Sequence, residues 1–274
     1  MKKILVPTDF SEQAENALKV AAQLAKTYNC EIYLLHVIDL PLDEVDALNS
    51  HSEFPEAVFF MKLAHKKFEE LKNRDYLKDL TVHETVDFHE IFKGVFHISK
   101  KNDIDLIIMG SNGVSGLKEM LIGSNTEKVV RTSEIPVLVI KNEHQSFHVD
   151  HFVFASDFKE ESKPSYQHAL NFAKAFGAKM HLLMVNTPHK FITSNDAKTR
   201  IDDFTSSFEF SDHTIHIYND LSIETGILNF AESISADLIG MSTHGRQGIS
   251  HFFNGSISED LVNHANRPVI TFKI

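Results

Sequence analysis

The chain has 274 residues, 42% of them apolar and 24% charged, the balance of an ordinary soluble globular protein with room for about two domains. A formal net charge of −11 speaks against the basic footprint of a nucleic-acid binder, and no run approaches the roughly eighteen apolar residues a membrane span requires. A single cysteine, Cys30, excludes an internal disulfide framework and fits a reducing compartment.

Met1-Lys2-Lys3 lead into the apolar run Ile4-Leu5-Val6, but Pro7 and Asp9 end it far too soon for a signal peptide. A cytoplasmic protein is expected. Residues 3–6 read as a short buried strand. Ala14, Ala17, Leu18, Ala21, Leu24, Ala25 and Tyr28 follow at helical spacing, behind Ser11 as a cap. Residues 31–37 read as a second strand, and an amphipathic helix covers much of 54–78. A third strand is expected at 80–86, a helix at 89–101 and a fully apolar strand at 105–109. A helix within 117–132 and a last strand at 136–140, opened by Pro136, complete the series. Strands alternating with helices predict a parallel sheet covered on both faces.

The whole pattern then repeats. Ile4-Leu5-Val6-Pro7-Thr8-Asp9-Phe10 resembles Phe152-Val153-Phe154-Ala155-Ser156-Asp157-Phe158, and Leu34-Leu35-His36-Val37 resembles Leu182-Leu183-Met184-Val185. Asp105-Leu106-Ile107-Ile108-Met109 resembles Asp237-Leu238-Ile239-Gly240-Met241, and Pro136-Val137 matches Pro268-Val269. The register is 148 in the first pair of segments and 132 in the second, so the later copy has lost residues between its second and third strands. Strands are expected there near 151–155, 179–185, 213–218, 237–241 and 268–272. Two domains, 1–141 and 151–274, are expected, with the polar stretch 142–150 as linker.

After the fourth strand comes Gly110-Ser111-Asn112-Gly113, and nine residues later Gly123-Ser124. The second copy has Ser242-Thr243-His244-Gly245, the same interval, then Gly255-Ser256. This pattern suits a phosphate: glycine permits close backbone approach and positive φ, and a Gly-Ser pair opening a helix adds a hydroxyl and the positive end of the helix dipole. The competing reading is a turn followed by an ordinary N-cap, with Ser124 capping its own helix. In an open doubly wound sheet the ligand crevice lies beyond the strand C-termini where the winding reverses. Asp9 and Gly110 share that crevice if the first strand lies beside the fourth; Asp157 and Ser242 do so in the second copy. Asp9 is read either as a ribose, base or metal ligand or as a helix-start cap with Thr8 and Ser11.

These residues resemble the universal stress protein family in its ATP-binding branch, marked by Gly-x2-Gly-x9-Gly-(Ser/Thr), a short first strand ending in Asp, and a Pro-Val-x-Val last strand. The resemblance covers the chain once per half. It implies an α/β fold of two tandem doubly wound five-stranded parallel-sheet domains, Rossmann-like and adenine nucleotide alpha hydrolase-like, with strand order 3-2-1-4-5. It further implies pairing of the halves through their last strands, near Val137–Ile140 and Val269–Phe272.

The resemblance also implies a site for ATP, with or without Mg2+. In the first half it would comprise Pro7, Thr8, Asp9, Val37, Met109, Gly110, Asn112, Gly113, Gly123, Ser124 and Asn125. In the second it would comprise Ala155, Asp157, Val185, Met241, Ser242, His244, Gly245, Gly255, Ser256 and Ile257. Two departures stand out: the family often has His where Asn112 stands, and the second half lacks a proline matching Pro7 and the first glycine. The second half does keep His244 followed by Arg246, whereas no arginine follows Gly113.

No Gly-Lys-(Ser/Thr) is present, so this is not a P-loop NTPase, and no dedicated base for hydrolysis is evident. The seventeen histidines form no zinc spacing; His83, His89, His144, His148 and His151 read as solvated, and His181 and His216 are expected to face solvent. Phe172 and Phe176, at helical spacing, read as core. The leading expectation is a non-catalytic, nucleotide-responsive stress or regulatory protein with an adenine nucleotide and an unnamed protein as partners, no nucleic acid and no membrane. The alternatives are a nucleotide-independent interaction protein with vestigial loops, and a weak ATPase. Homodimer formation is left open.

Overall fold

The structure, a computed structural model, describes residues 1–38, 55–88, 90–111, 123–209, 212–243 and 255–274, with backbone alone for 55, 56 and 255–259. The expectations on Asn112, Gly113, His89, His244, Gly245 and Arg246 lie outside the described residues, as does the part of the 117–132 helix before Gly123.

In the first half the elements run β1 (Lys3–Pro7), α1 (Glu12–Tyr28), β2 (Glu31–Val37), α2 (Pro55–Lys72), β3 (Val82–Asp87), α3 (Ile91–Asn102), β4 (Leu106–Gly110), α4 (Ser124–Thr132) and β5 (Val137–Ile140). The second half follows with β6 (His151–Ala155), α5 (Lys163–Phe176), β7 (Lys179–Asn186), α6 (Ser194–Thr205) and β8 (His213–Asn219). It ends with α7 (Ile223–Ser233), β9 (Leu238–Thr243), α8 (Gly255–His264) and β10 (Val269–Lys273).

Among the described residues ten strands form one sheet, ordered β3-β2-β1-β4-β5-β10-β9-β6-β7-β8. Each half therefore reads 3-2-1-4-5, and its internal pairings are parallel. The halves join at β5 and β10, which pair antiparallel through Val139↔Val269, Leu138↔Ile270 and Val137↔Thr271. Strands such as Leu106-Ile107-Ile108-Met109 are buried on both faces. Their side chains alternate: Ile4, Val6 and Ile108 enter one apolar layer, and Leu5, Ile107 and Met109 the other. Each such fully buried side chain contributes about 1.5–3 kcal/mol.

α1 starts where Ser11 accepts a hydrogen bond from the Ala14 amide and stops at Asn29 in the left-handed region, whose N–H returns to the Ala25 carbonyl. Its buried face is rich in alanine, so the helix lies close on the sheet. The second half redistributes volume instead. Phe152 and Phe154 stand where the first half has Ile4 and Val6, and Gly240 replaces Ile108. A Cβ on Gly240 would come within 2.5 Å of the Phe152 ring; the missing side chain is the room the ring occupies.

The segment between β5 and β6 is polar on average but anchored by two buried side chains, Phe147 and Val149. Gln23 of α1 holds it: its Oε1 accepts from the Phe147 amide at 2.6 Å and its Nε2 donates to the His144 carbonyl. The Phe147 ring meets Phe176, which also meets Tyr28, so α1 and α5 are bridged by aromatic contacts. Phe172, stacked on Phe176, is core as expected.

Expectations on three histidines are overturned, the first of them His144, whose Nε2 is buried. His181 is buried and His216 half-buried; they lie under α7, where His216 packs on Phe230. His151, His181 and His216 form a ladder across β6, β7 and β8, with ring nitrogens 3.1 and 3.3 Å apart and Thr214 Oγ1 bridging the latter pair. Strand alternation selects a face of the sheet, but both faces of a parallel sheet are covered by helices, so neither opens to water.

Candidate functional site

β1 pairs with both β2 and β4, so the winding reverses there and a crevice opens beyond the strand C-termini. Parallel pairing carries Asp9 and Gly110 to that same edge. Immediately past β1, Phe10 takes a φ of 63°, a conformation uncommon for a bulky residue. Its N–H is bound by Thr8 Oγ1 at 3.0 Å, and its ring packs on His36 and Phe68. The second half repeats the turn: Phe158 has a φ of 51°, and its N–H meets Ser156 Oγ at 3.0 Å. The hydroxyl before each Asp thus closes the turn that aims the Asp, a role the sequence pattern Thr/Ser-Asp-Phe carries in both copies.

Asp9 Oδ1 accepts from the Ser11 amide at 3.0 Å and the Ser11 hydroxyl at 2.5 Å. This is the helix-start reading, and it fixes the carboxylate at the crevice rim. Asp157 is held differently: Lys159 Nζ lies 3.0 Å from its Oδ2, so its charge is already paired.

The ends of the glycine loop converge. The Gly123 N–H donates to the Ser111 carbonyl at 2.8 Å, the Ser111 N–H to the Ile140 carbonyl, and Thr126 Oγ1 to the Gly110 carbonyl at 3.0 Å. These bonds seat the N-terminus of α4 against the end of β4. Gly123 occupies the N-cap position, and among the described residues no side chain caps the helix; Ser124 is its first helical residue and is exposed, as is Asn125. The reading of Ser124 as its own cap does not hold. The first-turn amides of such a helix lack intrahelical acceptors and carry the positive end of its dipole.

The glycines themselves are explained otherwise than by positive φ. Gly123 has a φ of −59°, and Gly110 is outside the left-handed region. A Cβ on Gly110 would come within 2.6 Å of the Gln13 carbonyl oxygen, so the close approach it permits is that of α1. In the second half the first turn of the matching helix is a 3-10 turn, Glu160–Ser162, and a side chain fits: Ser242 is fully buried, its hydroxyl 2.6 Å from that of Ser165. Ser242 is thereby committed to packing.

Pro7 and Ala155 end their strands buried, beside Leu35 and Leu183 respectively. Met109 and Met241 are buried one residue before Gly110 and Ser242, and their side chains enter the core layer. Val37 lies at the end of β2, and a Cβ on Gly94 of α3 would touch it at 3.0 Å. In the second half Ala155, Asp157 and Val185 line a cavity of 70 Å³, together with Lys190, Ile192 and Arg200. Gly255, Ser256 and Ile257 form the first turn of α8.

A model of the universal stress protein family matches residues 1–141 and 212–273. The chain belongs to the universal stress protein family. Universal stress protein MJ0577 of Methanocaldococcus jannaschii is 40% identical over 163 residues, 52% of this chain and 96% of that relative. Universal stress protein Slr1230 of Synechocystis is 24% identical over an alignment spanning 100% of both chains. The crystal structure of a universal stress protein from Archaeoglobus fulgidus shares the fold, with a TM-score of 0.77 at 23% identity, covering 99% of this chain and 98% of that one. Among the described residues of this universal stress protein, no helix is long and apolar enough to cross a membrane, and no three His, Cys, Asp or Glu side chains are grouped to hold a metal.

Proposed function

We propose that this universal stress protein binds ATP, with Mg2+, in its first half and acts as a nucleotide-responsive regulator. Residues 1–141 and 151–274 are its two family domains, and 142–150 connects them. The observation that carries the reading is the Ser111–Gly123 hydrogen bond, which brings the two ends of the Gly-x2-Gly-x9-Gly-Ser segment together at the N-terminus of α4. The phosphates sit at Gly110, Asn112, Gly113, Gly123, Ser124 and the Asn125 amide, and the nucleoside against Pro7, Thr8, Asp9, Val37 and Met109. Preorganised N–H donors at a helix start hold phosphate well, but cleavage also requires a positioned water and charge stabilisation. The Asp9 carboxylate is already engaged by Ser11, which supports holding over hydrolysis, and the action is cytoplasmic.

Two measurements test this. Freshly purified protein, denatured, should release an adenine nucleotide detectable by mass spectrometry. ATP at a hundred times its Kd should add about 2.7 kcal/mol of stability, several degrees in melting temperature, and Gly123→Val should abolish that gain. No released nucleotide and no thermal shift overturn the proposal. One observation favours an interaction role independent of nucleotide: α2 exposes Val58, Phe59, Phe60 and Leu63, with Phe59 at 62%. That role is supported if Gly123→Val leaves partner capture unchanged.

A further inference from the structure

Among the described residues the two halves differ at the mouth of their crevices, and the difference centres on one side chain. Asn186, the last residue of β7, is buried. Its amide pairs with the backbone of Ile192 as a neighbouring strand would: the Ile192 N–H donates to Oδ1 at 3.0 Å, and Nδ2 donates to the Ile192 carbonyl at 3.1 Å. The remaining Nδ2 hydrogen goes to Asn219 Oδ1 at 3.1 Å. Every donor of the amide is used, in a buried setting where an unpaired one would be costly.

This clasp ties 186–192 into a short closed loop containing the 3-10 turn Pro188–Lys190. Ile192 packs on the core, and Thr193 then caps α6 through the Asp196 amide. The loop borders the described part of the crevice. Lys190 and Ile192 line a cavity of 70 Å³ together with Ser156, Asp157, Val185 and Arg200 of α6. Pockets for drug-sized ligands run to about 300–1,000 Å³, well above the volume of this cavity.

Among the described residues, the first half has no side-chain amide at the matching position. Ile38 stands where Asn186 does and has no side-chain amide; its backbone N–H goes to the Asp87 carbonyl. The chain from β2 to α2 spans 38–54, whereas that from β7 to α6 spans only 187–193. The second-half family match begins only at residue 212, after the clasp.

We propose that the Asn186–Ile192 clasp keeps adenine nucleotide out of the second-half crevice, so that the chain takes one nucleotide, in its first half. Asn186 is the residue that decides occupancy. This rests on the ATP reading only for the first-half nucleotide; the closure of the second half stands apart from it. Ser242 and Asp157 fit the same picture, the one bonded to Ser165 and the other paired with Lys159.

Equilibrium dialysis of the full chain against radiolabelled ATP tests it by stoichiometry, in the wild type and in Asn186→Ala, each with and without Gly123→Val or Gly255→Val. The expected result is one ATP per wild-type chain, lost with Gly123→Val and kept with Gly255→Val, and two per Asn186→Ala chain. Two per wild-type chain, one that is lost with Gly255→Val, or one in both wild type and Asn186→Ala overturns the clasp and leaves nucleotide binding standing. None in the wild type but one in Asn186→Ala, removed by Gly255→Val, upholds the clasp and sinks the first-half reading. None in either overturns both. If Asn186→Ala does not fold, Asn186→Asp, which keeps the acceptor and removes both donors, carries the same comparison.

Discussion

Gly110 and Gln13 lie so close that a Cβ on the glycine would come within 2.6 Å of the Gln13 carbonyl oxygen. The contact is backbone against helix, and no rotamer relieves it. Gly110→Ala should therefore destabilise the protein by about 1–3 kcal/mol through overpacking, read as a lower urea midpoint. In the other half the 3-10 turn makes room for Ser242, and Ser242→Gly should cost about 1 kcal/mol through its lost hydrogen bond to Ser165. Equal tolerance of a side chain at both positions would contradict the packing account.

Phe152 and Gly240 form a size-matched pair where the first half has Ile4 and Ile108. Gly240→Ile alone should be strongly destabilising, since the Phe152 ring sits in the space a side chain needs. Adding Phe152→Ile should recover much of the loss. Chemical denaturation of both single variants and the double should give a coupling of about 0.5–3 kcal/mol; additive effects would show that the ring and the glycine are independent.

The histidine ladder predicts acid sensitivity. Burial, with His216, His151 and Lys179 nearby, lowers the His181 pKa from 6.5 to about 4, against a weaker opposing pull from Asp212. Between those values the unfolded chain binds a proton that the folded chain refuses, so stability rises with pH. The contribution is complete above about pH 6.5 and is lost as pH falls toward 4. Denaturation midpoints at pH 7.5 and pH 5 should differ less in His181→Gln than in the wild type; an unchanged difference would assign the sensitivity elsewhere.

Lys141, just past β5, donates to the Asn263 carbonyl at 3.3 Å, and burial lowers its pKa from 10.5 to about 8. Between pH 8 and 10.5 the unfolded chain holds the extra proton, so here too stability rises with pH. At neutral pH the desolvated ammonium opposes folding. Lys141→Met is expected to raise the thermal midpoint at pH 7, with the advantage shrinking by pH 10. A constant advantage across that range would point to packing alone.

The sequence by itself determined the repeat, the alternation of strands and helices, and the glycine spacing, because each is a local or periodic property of the chain. It also located Asp9, Gly110 and Gly123 on elements that meet, since a parallel doubly wound sheet brings strand ends to one edge. Tertiary structure alone decided why particular residues are small. Gly110 yields to Gln13, Gly240 to Phe152, and Ser242 meets Ser165, contacts between residues 97, 88 and 77 positions apart. Distance across a fold has no periodic trace in sequence. The same holds for His181, whose alternation named a face of the sheet while the covering helix α7 made that face an interior. Asn186 shows the limit most clearly: in sequence it is an asparagine after a strand, and only the position of Ile192, six residues on, makes it a clasp.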